Sequence, residues 1–119
     1  MFEKLIVRKK NGIYALPVNK ILYLEKDLRK ICIHTQIESV ERIEVYSSFD
    51  DIMLYLDDRF LFCHRSFIIN MDKIVLMADQ QVFLEGNEHI FLGRDSFARG
   101  KKVFAEYLEK KKRQIRNQD

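Results

Sequence analysis

The segment from Phe60 to Asn70, FLFCHRSFIIN, places four chemically capable side chains between two apolar runs. A cysteine beside a histidine could form a nucleophile with its base or part of a metal site, and an arginine can bind a phosphate or a base edge. Neighbouring strand residues point to opposite faces, so the His64 imidazole would face away from the Cys63 thiol. The order of residues therefore favours a strand-turn-strand unit, with Arg65 at its bend, rather than a Cys/His active site.

Other kinds of chemistry have weaker support in the sequence. Two cysteines and three histidines would be enough ligands for a metal site, but they do not show the close spacing that metal ligands have in sequence. Cys32 also lies in the apolar stretch ICI. No segment has the glycine density of a phosphate-binding loop. We therefore expect neither an enzyme nor a metal or cofactor site, and both cysteines reduced. A surface salt bridge is as plausible a role for Arg65 as ligand binding, whereas a structural role is favoured for His64 and Ser66.

The chain has the length and composition of one domain. Its 119 residues are 47% hydrophobic, which is enough to build a single core. No apolar run is long enough to cross a bilayer, and the N-terminal residues lack the apolar centre of a signal peptide. The expected location is the cytoplasm.

Charge is segregated along the chain. Residues 1–30 hold eight basic and three acidic side chains, residues 94–119 hold nine and four, and residues 31–60 hold two and seven. If the fold brings the two basic ends together, they would form a positive surface for a phosphate backbone. The alternative is a solvated basic tail, because KKKR at 110–113 could coat a helix.

Residue periodicity predicts mostly short strands. Alternating or apolar segments occur at 4–8, 13–16, 21–24, 30–35, 43–46, 67–69, 73–77 and 82–92. Asn11-Gly12 and Gly86-Asn87 indicate hairpin turns, and residues 25–29 form a polar loop. Phe60, Phe62, Phe67 and Ile69 are the expected core side chains around the Cys-His-Arg-Ser turn.

Two segments have helical spacing. Ser48 is a candidate N-cap for an amphipathic helix that ends near Asp57, and a second, basic helix is predicted from about Lys101 to Gln114, after Gly100. The predicted fold class is mainly β, with short antiparallel strands, one short internal helix and a C-terminal helix.

Four segments together resemble the LytTR DNA-binding domain, the effector domain of bacterial response regulators of the LytR/AlgR type. They are RFLFCHRSFIIN, ILYLE before a basic loop, YSSFDD before the internal helix, and GRDSFARGKK after the last hairpin. The resemblance spans roughly residues 3–105. It implies a β fold in which loops between strands, rather than a recognition helix, enter successive DNA grooves.

The resemblance also implies which residues contact DNA. The loop after Leu24-Glu25 would supply Arg29, the Cys-His-Arg-Ser turn Arg65, and the segment after the last strand Arg94. Gly93 stands where the family commonly has serine, and the first loop varies in length, so Arg99 and Lys101 are alternates. The complete expected set is Arg29, Lys30, His64, Arg65, Arg94, Arg99 and Lys101, with Lys4, Arg8, Lys101 and Lys102 as candidates for phosphate contacts.

These inferences predict a LytTR-like DNA-binding domain over residues 1–107 and a basic helical tail over 108–119. The expected function is sequence-specific regulation of transcription on double-stranded DNA, with two copies on paired repeats. A small β module that binds RNA or protein is the alternative, and a Cys/His enzyme is a more distant one. Such domains usually follow a receiver domain, but here the chain starts at Met1 and enters the first strand with no linker. We therefore expect a stand-alone regulator controlled by an inhibitory partner, for instance a membrane protein encoded nearby.

Overall fold

The strands and helices follow the chain in an order that is mostly β. The computed structural model describes residues 3–117, and within them the secondary structure consists of ten strands, two α-helices and four short 3-10 turns. The strands are β1 (Lys4–Lys9), β2 (Gly12–Pro17), β3 (Ile21–Asp27), β4 (Lys30–Thr35), β5 (Arg42–Tyr46), β6 (Phe60–His64), β7 (Phe67–Asn70), β8 (Ile74–Ala78), β9 (Gln81–Leu84) and β10 (Glu88–Phe91). The helices are α1 (Phe49–Met53) and α2 (Arg94–Arg116).

The strands form three antiparallel sheets. The central sheet has five strands in the order β5-β4-β3-β7-β6, and it lies between the β1-β2 hairpin and the three-stranded sheet β10-β9-β8. The predicted fold class, mainly β with a short internal helix and a C-terminal helix, is confirmed.

The central sheet separates two hydrophobic cores. Ile31 and Ile33 alternate along β4, are fully buried, and pack with the β1-β2 hairpin and α1 on one face. Leu61, Cys63 and Ile69 face the other way and pack with α2 and the three-stranded sheet. Both faces of β7 and of the start of β6 are therefore packed against other elements, and these contacts hold the two strands that flank the turn.

One of the expected core residues is on the surface. Phe60 is buried, but Phe62 is 46% exposed, so the prediction that Phe62 belongs to the core was wrong. The two side chains share one face of β6. Because β6 is the outermost strand and Phe62 lies nearer to its turn, only Phe60 reaches the first core.

Helix α1 is shorter than its sequence pattern predicts. The Ser48 hydroxyl accepts a hydrogen bond from the Asp51 amide at 3.3 Å, as expected of an N-cap, but the helix ends at Met53 rather than near Asp57. Asp57 instead accepts from the backbone amide of Arg59 and forms an ion pair with its guanidinium at 2.8 Å. This local pair forms the turn into β6 and competes with a further turn of helix.

Helix α2 is longer than predicted and includes Gly100. It begins at Arg94 rather than near Lys101 because Gly100, although a poor helix former, lies where the helix touches β6. A Cβ atom at this position would lie 3.2 Å from the Cys63 Cβ and 3.4 Å from a Leu61 methyl carbon. Glycine thus permits a close contact between helix and strand. Helix propensity, which depends on local sequence, does not predict this contact.

The replacement Gly100→Val should lower the free energy of unfolding by about 2 kcal/mol, because a branched side chain overpacks the contact with Cys63 and Leu61. Urea unfolding, monitored by circular dichroism, measures this loss of free energy of unfolding. Ala98→Val, on the exposed side of the same helix, is the control and should change stability far less. Equal losses in the two variants would contradict the tight contact.

Within residues 3–117, no helix is both long and apolar enough to span a membrane.

Candidate nucleic-acid interface

The turn between β6 and β7 presents Arg65 to solvent. The pairing shifts between Phe62 and His64, and His64 then pairs with Phe67, which leaves Arg65 and Ser66 as the turn. The Ser66 amide donates to the His64 Nδ1 over 3.0 Å, so His64 shapes the turn as expected. Arg65 is exposed, and among residues 3–117 it makes neither an ion pair nor a side-chain hydrogen bond. The salt bridge considered as an alternative for Arg65 is therefore absent from the described part of the chain.

The turn between β3 and β4 lies at the same end of the central sheet. Asp27 pairs with Lys30, so Leu28 and Arg29 form a two-residue turn, and the polar loop predicted at 25–29 is mostly strand. The Lys26 amide donates to the Ser66 carbonyl over 2.8 Å, which ties this hairpin to the neighbouring one. Arg29 is exposed at its tip.

The start of α2 also lies at this end of the sheet. His64 shares a shallow surface depression with residues 93–96, which include Arg94. Farther along α2, Tyr107 and Lys110 reach Asp72 and Asp58 at the opposite end of β6 and β7, at 2.6 and 2.7 Å. The helix therefore runs antiparallel to β6. We call the end that holds Arg29, Arg65 and Arg94 the arginine end.

The alternates on α2 lie behind Arg94. Arg99 donates to the Ser96 hydroxyl over 3.4 Å, while Lys101 is exposed about 10 Å along the helix from Arg94. Gly93 is the N-cap residue and, having no side-chain oxygen, leaves the first turn of α2 without a side-chain cap. Arg94, the first residue of α2, shares the depression with His64 beside the Arg65 turn.

Lys30 is more restrained than Arg29. Its Nζ lies 3.5 Å from a Glu44 carboxylate oxygen and 5.7 Å from the centre of the Tyr46 ring. Both partners are on β5, and Tyr46 is 75% exposed. Lys30 contributes charge to the arginine end, whereas Arg29, which has no partner among residues 3–117, has its whole donor fork available.

The N-terminal hairpin adds positive charge beside the arginine end. Arg8, Lys9 and Lys10, near the β1-β2 turn, share a depression with Lys30 and Tyr46. The C-terminal basic run is elsewhere, since Lys110 pairs with Asp58 at the opposite end of the central sheet. The run at 110–113 therefore does not join this surface, whereas Arg94, at the start of the same basic segment, lies at the arginine end.

Neither cysteine is suited to nucleophilic chemistry. Burial raises the pKa of the Cys63 thiol to about 11, so it is protonated at neutral pH. Burial also raises the pKa of Cys32, although Arg42 Nε donates to its sulfur over 2.8 Å. Both thiols are free and buried. Among residues 3–117, no group of three or more His, Cys, Asp or Glu side chains could hold a metal ion.

Two exposed apolar residues at the arginine end were missed by the sequence reasoning. Leu28 is 88% exposed at the tip of the β3-β4 turn, beside the exposed ring of Tyr46. Their proximity depends on the pairing of Lys30 with Tyr46 across β4 and β5, which the sequence pattern does not specify. The positions of Lys9 and Lys10 depend in the same way on how the hairpin packs.

Comparison with known proteins gives two findings. The family model described as LytTr DNA-binding domain matches residues 11–105. Among solved structures, a LytTr DNA-binding domain from Bacillus cereus has a TM-score of 0.70 and 19% sequence identity, covering 87% of this chain and 97% of that chain. No curated protein matches significantly. At this identity, the structural likeness shows the fold.

Proposed function

Because the chain belongs to the LytTR family of DNA-binding domains, we propose that it is a sequence-specific regulator of transcription that reads double-stranded DNA with the arginine end. Arg29, Arg65 and Arg94 would make the base contacts, with His64 holding the Arg65 turn. The family itself accounts for DNA as the partner. The choice of these residues and of sequence-specific reading is our proposal.

The observation that carries the proposal is the convergence of three arginines from two neighbouring turns and the start of α2. Arg29, Arg65 and Arg94 come from positions far apart in sequence, yet they lie at one end of the central sheet, and among residues 3–117 none of them makes an ion pair. An arginine without a partner keeps its fork of donors free for guanine O6 and N7. Turns at the end of a rigid sheet can hold such side chains at fixed spacing.

The surrounding lysines suit contacts to the DNA backbone rather than to bases. Arg8, Lys9 and Lys10 lie beside the arginine end and would neutralise phosphates flanking the site. The basic tail at 108–117 extends away from this end and is outside the proposed surface. On paired DNA repeats, two copies would bind side by side, each with its own arginine end.

Selection of bound duplexes from a random DNA pool tests the function. We expect one enriched sequence, bound at least about 1,000-fold more tightly than a scrambled duplex at the same salt concentration. Single-stranded RNA of matched length should compete as weakly as scrambled DNA. If no sequence is enriched, or RNA competes as well as the enriched duplex, sequence-specific DNA recognition is refuted.

The double variant Lys9→Gln/Lys10→Gln should bind the selected duplex with a weaker salt dependence. Loss of two phosphate contacts reduces the slope of log K against log salt by about 1.8. Lys112→Gln/Arg113→Gln removes the same charge from the far half of α2 and should leave the slope unchanged. Anisotropy titrations at four salt concentrations measure both. If the two double variants shift the slope equally, the N-terminal hairpin does not contact DNA.

A further inference from the structure

The position of Leu28 gives a leucine no advantage for the stability of the fold. It is the first residue of the two-residue β3-β4 turn, its backbone φ is +57°, and its side chain is 88% exposed. Left-handed backbone is unfavourable for a leucine, while glycine or asparagine adopts it readily. A large apolar side chain that neither packs inward nor suits its backbone indicates a role outside the folded domain.

The surroundings of Leu28 indicate what it contacts. A depression of about 490 Å³ at this turn is lined by Asp27, Leu28, Arg29, Lys30 and Tyr46. Two cations flank an apolar surface made by Leu28 and the 75% exposed Tyr46 ring. Asp27 in the depression and Glu44 beside Lys30 reduce its positive charge, which makes it less suited to a phosphate group. The edges of base pairs, in contrast, offer amino groups and methyl groups side by side.

We propose that Leu28 is a sequence-reading residue that packs against a thymine methyl group in the major groove, beside the base that Arg29 contacts. The inference rests on the proposed function, because it needs the β3-β4 turn to enter a groove. Thymine is the one DNA base with a methyl group, which projects into the major groove. Leu28 thus reads an A·T pair next to the base pair that Arg29 reads.

Substitutions at Leu28 separate a reading role from a structural one. Leu28→Asn suits the left-handed backbone, so its melting temperature should equal or exceed that of the unchanged protein. Its affinity for the selected duplex should nevertheless fall about fourfold, the value of one buried methyl group. Leu28→Met retains an apolar side chain and should bind within about twofold of the unchanged protein. Leu28→Gly also suits this backbone and serves as a second variant should Leu28→Asn fold poorly.

Deoxyuridine scanning of the selected duplex provides the decisive test, because replacing thymine by deoxyuridine removes only the methyl group. The unchanged protein should lose about fourfold in affinity at one or two thymines of each repeat. Leu28→Asn should be insensitive to replacement at those same thymines. If Leu28→Asn binds like the unchanged protein, or if its loss and the deoxyuridine loss simply add, the methyl contact is refuted.

The failure of this inference is distinguishable from failure of the proposed function. If Leu28→Asn binds normally while Arg65→Ala loses specific binding, the arginine end still reads DNA and Leu28 does not. If the random pool yields no enriched duplex, both are refuted. Asp27→Asn changes the charge of the turn but keeps the Leu28 side chain. In the same titrations it should still lose affinity when thymine is replaced by deoxyuridine, which separates a change in charge from the methyl contact.

Discussion

Replacing Arg65 by alanine should lower affinity for the selected duplex by about 5- to 150-fold. A bidentate arginine contact to guanine is worth about 1 to 3 kcal/mol of discrimination against the wrong base. The Arg65 turn is preorganised, since the Ser66 amide is bonded to His64 and the Ser66 carbonyl to β3. Little ordering of the protein is then needed on binding, so most of the contact energy contributes to affinity.

The reading role of Arg65 is separated from its charge by two further variants. Arg65→Lys keeps the charge but lacks the planar fork, so it should lose most of the part of the preference for the selected duplex over a scrambled one that Arg65 provides. Arg116→Ala removes the same charge from the far end of α2 and should lose little on either duplex. If Arg65→Ala and Arg116→Ala lose equally on both duplexes, Arg65 contributes only charge.

Replacing Asn70 by alanine should lower the free energy of unfolding by about 3 kcal/mol. Asn70 is fully buried, and its Nδ2 donates to the Ile21 carbonyl over 2.8 Å while its Oδ1 accepts from the Asp72 amide over 3.0 Å. Removal of the side chain leaves a carbonyl and an amide without these partners and opens a cavity. Asp72 in turn accepts from the Tyr107 hydroxyl at 2.6 Å, so the loss extends to the contact with α2.

Urea unfolding of Asn70→Ala, followed by tyrosine fluorescence, measures this loss. Asn19→Ala is the matched control, because Asn19 is exposed and makes no side-chain hydrogen bond to any described residue. It should change stability by less than about 0.5 kcal/mol. A loss below about 1 kcal/mol for Asn70→Ala would mean that the two hydrogen bonds add little to stability.

Much of the fold follows from local sequence patterns. Alternation of Ile31, Ile33 and their neighbours predicts β4, and Gly86-Asn87 predicts the last hairpin, whose turn residues both have positive φ. The Cys-His-Arg-Ser segment predicts a turn with Arg65 at its bend, because a buried strand precedes it and another follows. These features depend on residues that are close in sequence.

The remaining features depend on contacts between distant segments. Gly100 predicts a helix interruption from the sequence, but its closeness to Cys63 on β6 explains why the helix continues through it. The location of the C-terminal basic run opposite the arginine end depends on the direction in which α2 crosses the sheet. The exposed pair of Leu28 and Tyr46 depends on strand register. None of these relations has a local signal in the sequence.

Backbone amide chemical shifts, recorded by NMR during titration with the selected duplex, test the central claim most directly. If the arginine end reads DNA, the largest changes should occur at residues 28–29, 64–66 and 93–95, with smaller changes at 8–11 and little change at 108–116. Changes concentrated in residues 108–116, with residues 28–29, 64–66 and 93–95 unaffected, would contradict the account.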